Sequence, residues 1–152
     1  MSNKPHELSP EVQVNLNHRL IDAALNGYTD TVQTLLAAGA NVHAYVDSAL
    51  RLATFYGYTD TVQALLLAGA DVHVQNDHVL RCAARNGYTE TVKALLEAGA
   101  CVGVRRDNAL SLATERGHTE TAKILEAQVA VEQAQSSRPA TSSSMPGIPS
   151  PS

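Results

Sequence analysis

Two histidines and two cysteines are the first places to look for chemistry in this 152-residue chain. His43 and His73 lie 30 residues apart, and a zinc site needs three or four ligands at about 2 Å. They occupy equivalent places in consecutive stretches of similar sequence, and packed helices stand about 8–10 Å apart. The next equivalent position is Gly103, so a third ligand is missing and a structural loop role is expected for both. Cys82 stands where neighbouring stretches place Leu52 and Leu112; a small buried hydrophobe is the expectation, since a reactive thiol needs electropositive, exposed surroundings. Cys101 replaces Asn41 and Asp71 and is expected at the surface. The Asp77-His78 pair suggests acid–base work, but His78 varies to Ser48 and Asn108, and Asp77 is explained as a helix cap. Every glycine of the repeating pattern falls at a helix end, which leaves none for a phosphate-cradling loop. No catalytic residue, metal or cofactor is assigned. An enzyme or small-ligand-binding protein, the alternative reading, would need a site unlike any of these constellations.

Bulk properties narrow the classes further. Hydrophobic residues make up 44% of the chain, but only one Phe, five Tyr and no Trp are present, so the apolar content is mostly helix-forming Ala and Leu together with Val. A formal net charge of -4 argues against a nucleic-acid partner, which needs a concentrated basic surface. The start, MSNKPHELSPE, has no apolar run of the kind a secretory signal carries, and no stretch approaches the roughly 18 apolar residues of a membrane span. Two cysteines without a paired motif point to reduced thiols. A protein of the cytoplasm or another intracellular compartment, away from membranes, is expected.

The elements that position these residues follow from an internal repeat. Gly27, Gly57, Gly87 and Gly117 recur every 30 residues, as do Gly39, Gly69 and Gly99. Residues 48–77 and 78–107 are identical at 17 of 30 positions without a gap. The units run over 18–47, 48–77, 78–107 and 108–135, and Val12 and Val14 extend the register back to about residue 11. An Asx residue, Asn17, Asp47, Asp77 or Asp107, precedes each first helix as its expected cap. The first helix stops at a glycine able to take the left-handed conformation. Thr29, Thr59, Thr89 and Thr119 then offer hydroxyl caps to the second helix, each followed by an acid that suits the helix dipole. Val32, Leu35 and Leu36 set the stripe of that helix, repeated as Val62, Leu65, Leu66 and Val92, Leu95, Leu96. A lone helix pair cannot bury such a stripe, so the units must stack.

In these features the chain resembles the ankyrin repeat family. The segment GYTDTVQALLLAGADVH at 57–73 looks like the second half of an ankyrin repeat, and residues 87–103 echo it. The resemblance covers residues 11 to about 127. It implies an all-α, ankyrin-type repeat solenoid of four helix-turn-helix units. The period is 30 rather than the family's 33, and the missing residues fall where the family builds its β-hairpin, so shortened or absent hairpins are expected. The family's T-P-L-H helix start is also replaced, by Ser48-Ala49-Leu50-Arg51 and its equivalents. This short form is similar to ankyrin proteins of large DNA viruses and of bacteria that live inside host cells, which makes a host cell a further candidate location.

Both ends carry polar substitutions of the kind solenoids need. Glu126 stands where Leu36, Leu66 and Leu96 stood, and Asp22 where Leu52 and Leu112 stand; a complete, monomeric solenoid with its last helix reaching about Gln135 is expected. Residues 1–10 are expected to be flexible, and the Ser/Pro-rich tail 136–152, with its PxxP at Pro146–Pro149, to be disordered.

The resemblance implies a protein partner, bound by the loop tips and the exposed side of the first helices. Carried onto this chain, the loop positions include Tyr45, Arg105 and Arg106. On the first helices they include Phe55, Tyr56, Arg85, Asn86 and Arg116. Aromatic and arginine side chains are enriched in interface cores and hot spots, so these positions are read as a partner-binding surface, with the chain acting as an adaptor or an occluding inhibitor.

Overall fold

A computed structural model describes residues 8–103 and 108–136. Eight helices occupy them: α1 (Pro10–Leu25), α2 (Thr29–Ala37), α3 (Ala44–Phe55), α4 (Thr59–Leu67), α5 (Val74–Asn86), α6 (Thr89–Glu97), α7 (Ala109–Glu115) and α8 (Thr119–Ser136). No strand occurs among the described residues. Each odd-numbered helix pairs with the even-numbered helix that follows it, and the pairs stack into two layers, α1-α3-α5-α7 and α2-α4-α6-α8. The expected helix-pair solenoid without hairpins is therefore what forms. The expected disorder of the tail, its PxxP motif, and the first seven residues lie outside the described residues.

The core lies between the layers. Leu20, Leu50 and Leu80 of the first helices are fully buried, and so are Val32, Val62, Val92, Leu65, Leu95 and Leu125 of the second. Ala23, Ala53, Ala83 and Ala113 fill the spaces between successive first helices with almost no exposed surface; side chains this small let the helix backbones approach closely. Both glycine series end helices as expected, because the left-handed residue lets the chain fold back on its last carbonyls. After α1, Gly27 has φ 71, its N–H bonds the carbonyl of Ala24, and the N–H of Tyr28 bonds that of Ala23. Gly57, Gly87 and Gly117 repeat the arrangement.

Three local expectations are corrected. The first concerns residues 11–17, which match the repeat's loop register but are helical: Ser9 Oγ accepts from Val12 N–H at 3.3 Å, and Pro10 takes the first turn, where its missing N–H is harmless. Val12 and Val14 consequently sit half-exposed on α1, and Leu8, assigned to the flexible start, packs against the core.

The second concerns the Asx series, whose hydrogen bonds reach the next unit rather than the helix that follows. Asn17, inside α1, accepts from Asn41 N–H at 2.7 Å. Asp47 accepts from Asp71 N–H at 2.9 Å, and Asp77 from Cys101 N–H at 3.3 Å. Asp107 lies outside the described residues, and the cap of α7 is Asn108, which accepts from Ser111 N–H at 2.9 Å.

The third concerns the threonines. Tyr28, Tyr58 and Tyr88 occupy the cap positions of α2, α4 and α6 with no side-chain cap bond. The hydroxyls instead join one unit to the next: Thr29 to Thr61 at 2.7 Å, Thr59 to Thr91 and Thr89 to Thr121 at 2.8 Å. Thr61, Thr91 and Thr121 are buried, where an unpaired hydroxyl would cost about 1–3 kcal/mol. The acids behind them, Asp30, Asp60, Glu90 and Glu120, do fall in first turns.

The three-residue shortening is absorbed by a left-handed turn that interrupts the start of α3 and of α5, so that the regular helix begins after Asp47 and after Asp77. Tyr45, Val46 and Asp47 have φ 53, 58 and 52, and Gln75, Asn76 and Asp77 have φ 51, 59 and 59. Side-chain bonds hold the first of these turns: Ser48 Oγ donates to the Tyr45 carbonyl at 2.8 Å and Arg51 Nε to the Val46 carbonyl at 3.2 Å. Val46 is the residue least suited to this conformation, because branching at Cβ adds to a penalty of roughly 1–2 kcal/mol. Its counterpart is Asn76, a type that tolerates it. Val46→Asn is therefore expected to raise stability by up to about 1 kcal/mol, read from denaturant unfolding; a loss would show that Val46 is held by packing instead.

Candidate functional site

The α1-α3-α5-α7 layer, called inner as α2-α4-α6-α8 is called outer, presents its exposed side between the ends of α3, α5 and α7. Phe55 ends α3, more than half exposed at 55%, with the Tyr56 ring edge-on at 5.0 Å between centroids. Tyr56 in turn stacks on Tyr58 at 5.9 Å. Next to Phe55 runs a groove of about 510 Å³, into which α5 projects His78, Arg81, Cys82, Arg85 and Asn86. Leu112 of α7 and Arg116, the cap that ends it, close the groove. These side chains converge because positions three and four apart share a helix face.

Of the residues singled out from sequence, Phe55, Arg85, Asn86 and Arg116 line this one groove, with Tyr56 beside it. Tyr45 lies apart, stacked on His18 at 5.5 Å, its hydroxyl 2.8 Å from the imidazole Nε2. That pair borders a separate hollow of about 440 Å³ with Ile21 and Leu25. Arg105 and Arg106 lie outside the described residues. His78, Arg81, Cys82 and Leu112 were missed as groove residues, although their spacing from Arg85 and Arg116 on the same helices was a readable signal.

The groove is cationic and partly apolar. It is lined by three guanidinium groups and one imidazole, with no carboxylate, in a chain whose net charge is -4. Cys82 is half-buried on this face rather than enclosed in the core as expected. Its thiol is pushed up by burial, which outweighs the Asn86 amide and the Arg85 charge that pull it down, the opposite of an activated nucleophile. The Cys101 thiol, exposed as expected, is also raised, by burial and by the charges of Glu132 and Asp77.

The His78 imidazole is held below its ordinary value by burial, then by Arg81 and Arg51. A depressed histidine binds its proton less readily folded than unfolded, so its contribution to stability is present above the unfolded value of about 6.5 and declines as pH falls below it. His78→Gln should flatten the loss of stability between neutral and mildly acidic pH, measured as thermal melts across that range; an unchanged pH slope would exclude this contribution.

His43 and His73 each serve their own turn. The His43 ring N–H donates to Asp47 at 3.0 Å, and that of His73 to Asp77 at 2.8 Å. Among the described residues no group of three or more His, Cys, Asp or Glu side chains comes together that could hold a metal ion. No described helix is long and apolar enough to cross a membrane.

A stack of helix pairs, each burying its apolar stripe against the next, defines a repeat scaffold. The family model described as Ankyrin repeats (3 copies) matches residues 50–134, and the one described as Ankyrin repeat matches residues 15–46. The chain belongs to the ankyrin repeat family, whose members are in general protein–protein interaction modules and typically not enzymes. No curated protein matches the chain.

Proposed function

We propose that this chain binds a partner protein through the inner-layer groove bounded by α3, α5 and α7, acting as an adaptor or as an occluding inhibitor. The observation that carries the reading is the groove itself, where Phe55 and Leu112 offer apolar surface beside Arg85 and Arg116. Exposed aromatic and arginine side chains grouped in one concavity are what interface hot spots are made of. Tyr56 extends that surface, and Tyr45 adds a contact toward the first unit. Two free cysteines, Cys82 and Cys101, favour a reducing intracellular compartment.

The test is capture of partners from cell lysate by crosslinking with the full chain, followed by affinity measurement on variants. Phe55→Ala, Tyr56→Ala and Arg85→Ala should each weaken binding, hot spots by about 2 kcal/mol or more, at unchanged melting temperature. Gln33→Ala, Gln63→Ala and Lys93→Ala on the outer layer should leave binding intact. Equal losses in both sets would remove the groove from the reading. Deleting the tail separates the two modes, since an occluder keeps its activity without it and an adaptor does not.

A further inference from the structure

We infer that the α5–α7 groove receives an extended acidic segment of the partner, in which carboxylates flank an apolar side chain. This rests on the groove being the binding surface and adds the chemistry of what enters it. Arg85 and Arg116 are exposed, and among the described residues their guanidinium groups make no hydrogen bond or ion pair. Their forks match a carboxylate in bidentate geometry, which a lysine could not reproduce. Between them the groove is not purely polar: Leu112 and Cys82 are half-buried, and Phe55 stands at the rim. An apolar side chain of the ligand can lose its water there while acids beside it reach the arginines.

Size and charge distribution point to a peptide rather than a polyanion. A volume of about 510 Å³ lies within the roughly 300–1,000 Å³ of sites that enclose a ligand of a few residues' size. Nucleic acid would need basic surface continuing past the groove. The outer layer instead carries Asp30, Asp60, Glu90 and Glu120 in its helices' first turns.

The experiment pans a displayed library of random peptides against the full chain, with parallel panning against Phe55→Ala and against Arg85→Glu combined with Arg116→Glu. Enriched sequences should be acidic with an apolar centre, and should be lost on both variants while thermal melts stay unchanged. A selected peptide, synthesised, should bind Arg85→Glu at least about thirtyfold more weakly than the native chain. Arg85→Lys should lose less, and added salt should weaken binding throughout. If enriched peptides are neutral or basic yet still lost on Phe55→Ala, the acidic ligand is wrong and the groove stands as the binding surface. If peptides of any composition bind all variants equally, both fall. No enrichment at all, or preference for a single-stranded oligonucleotide in competition, overturns the acidic peptide.

Discussion

Leu65→Ala should lower the free energy of unfolding by about 2–5 kcal/mol, whereas Leu67→Ala, two residues along the same helix, should change it by less than about 0.5 kcal/mol. The contrast follows from geometry alone. Leu65 is completely buried between the layers, and Leu67 is 90% exposed on the outer surface. Removing the first leaves a cavity that α3, α4 and α6 cannot close without giving up their own contacts; removing the second leaves only water. A small domain has about 5–15 kcal/mol in total, so the first substitution takes a large share. In a stack each unit depends on its neighbours for core, and the loss should spread to units that Leu65 never touches. Denaturant titration of both variants checks this, and similar midpoints for the two would contradict the layer assignment.

Gly57→Ala should destabilise by about 2–5 kcal/mol, and Gly117→Ala by only about 1–2 kcal/mol. Both glycines close a first helix in the left-handed region, φ 74 and 78, so a methyl group strains the backbone alike at each. They differ in what the new Cβ would meet. At Gly57 it would lie 2.9 Å from the ring of Tyr88 in the following unit, and at Gly117 nothing lies within 4 Å. The difference between the two variants therefore measures how firmly one unit's ring is seated on its neighbour's glycine. Gly27 meets Tyr58 in the same way, and Gly87 meets His118. Equal losses at Gly57 and Gly117 would mean that the Tyr88 ring moves aside freely.

Features set by composition and short spacing were legible before any coordinates. Two glycine series and a Val-Leu-Leu stripe define helix ends and buried faces locally, and a strict period turns four local answers into an architecture. Features set by contacts between units were not. The hydroxyl of Thr59 is a reasonable cap when viewed along its own helix; its partner Thr91, 32 residues on, appears only once the units are stacked. Asp47 misled for the same reason, being aimed at the backbone of Asp71 rather than at the helix it precedes. Val12 and Val14 fit the repeat register, but Ser9-Pro10-Glu11 is a local helix start that takes both into α1. Missing residues announced that the hairpins would be short, but not that left-handed turns built from non-glycine residues, Tyr45–Asp47 and Gln75–Asp77, would replace them. At the groove, residue type pointed to Phe55, Arg85 and Arg116. That they share one concavity, while Tyr45 pairs with His18 elsewhere, depends on the angle at which the helices stack.

The joints between units carry a consequence for how such a chain is lengthened. Thr29 to Thr61, Thr59 to Thr91 and Thr89 to Thr121 all link equivalent positions of consecutive units, and so do the contacts of Gly27 with Tyr58 and Gly57 with Tyr88. Each unit thus holds one half of the joint behind it and one half of the joint ahead. A tandem copy of residues 48–77 arising by unequal recombination would arrive with both of its junctions already matched, hydroxyl to hydroxyl and ring to glycine. No compensating substitution is needed for it to fold, and selection is free to act at once on the few inner-layer positions that differ, which makes the gene a template for longer arrays with new grooves.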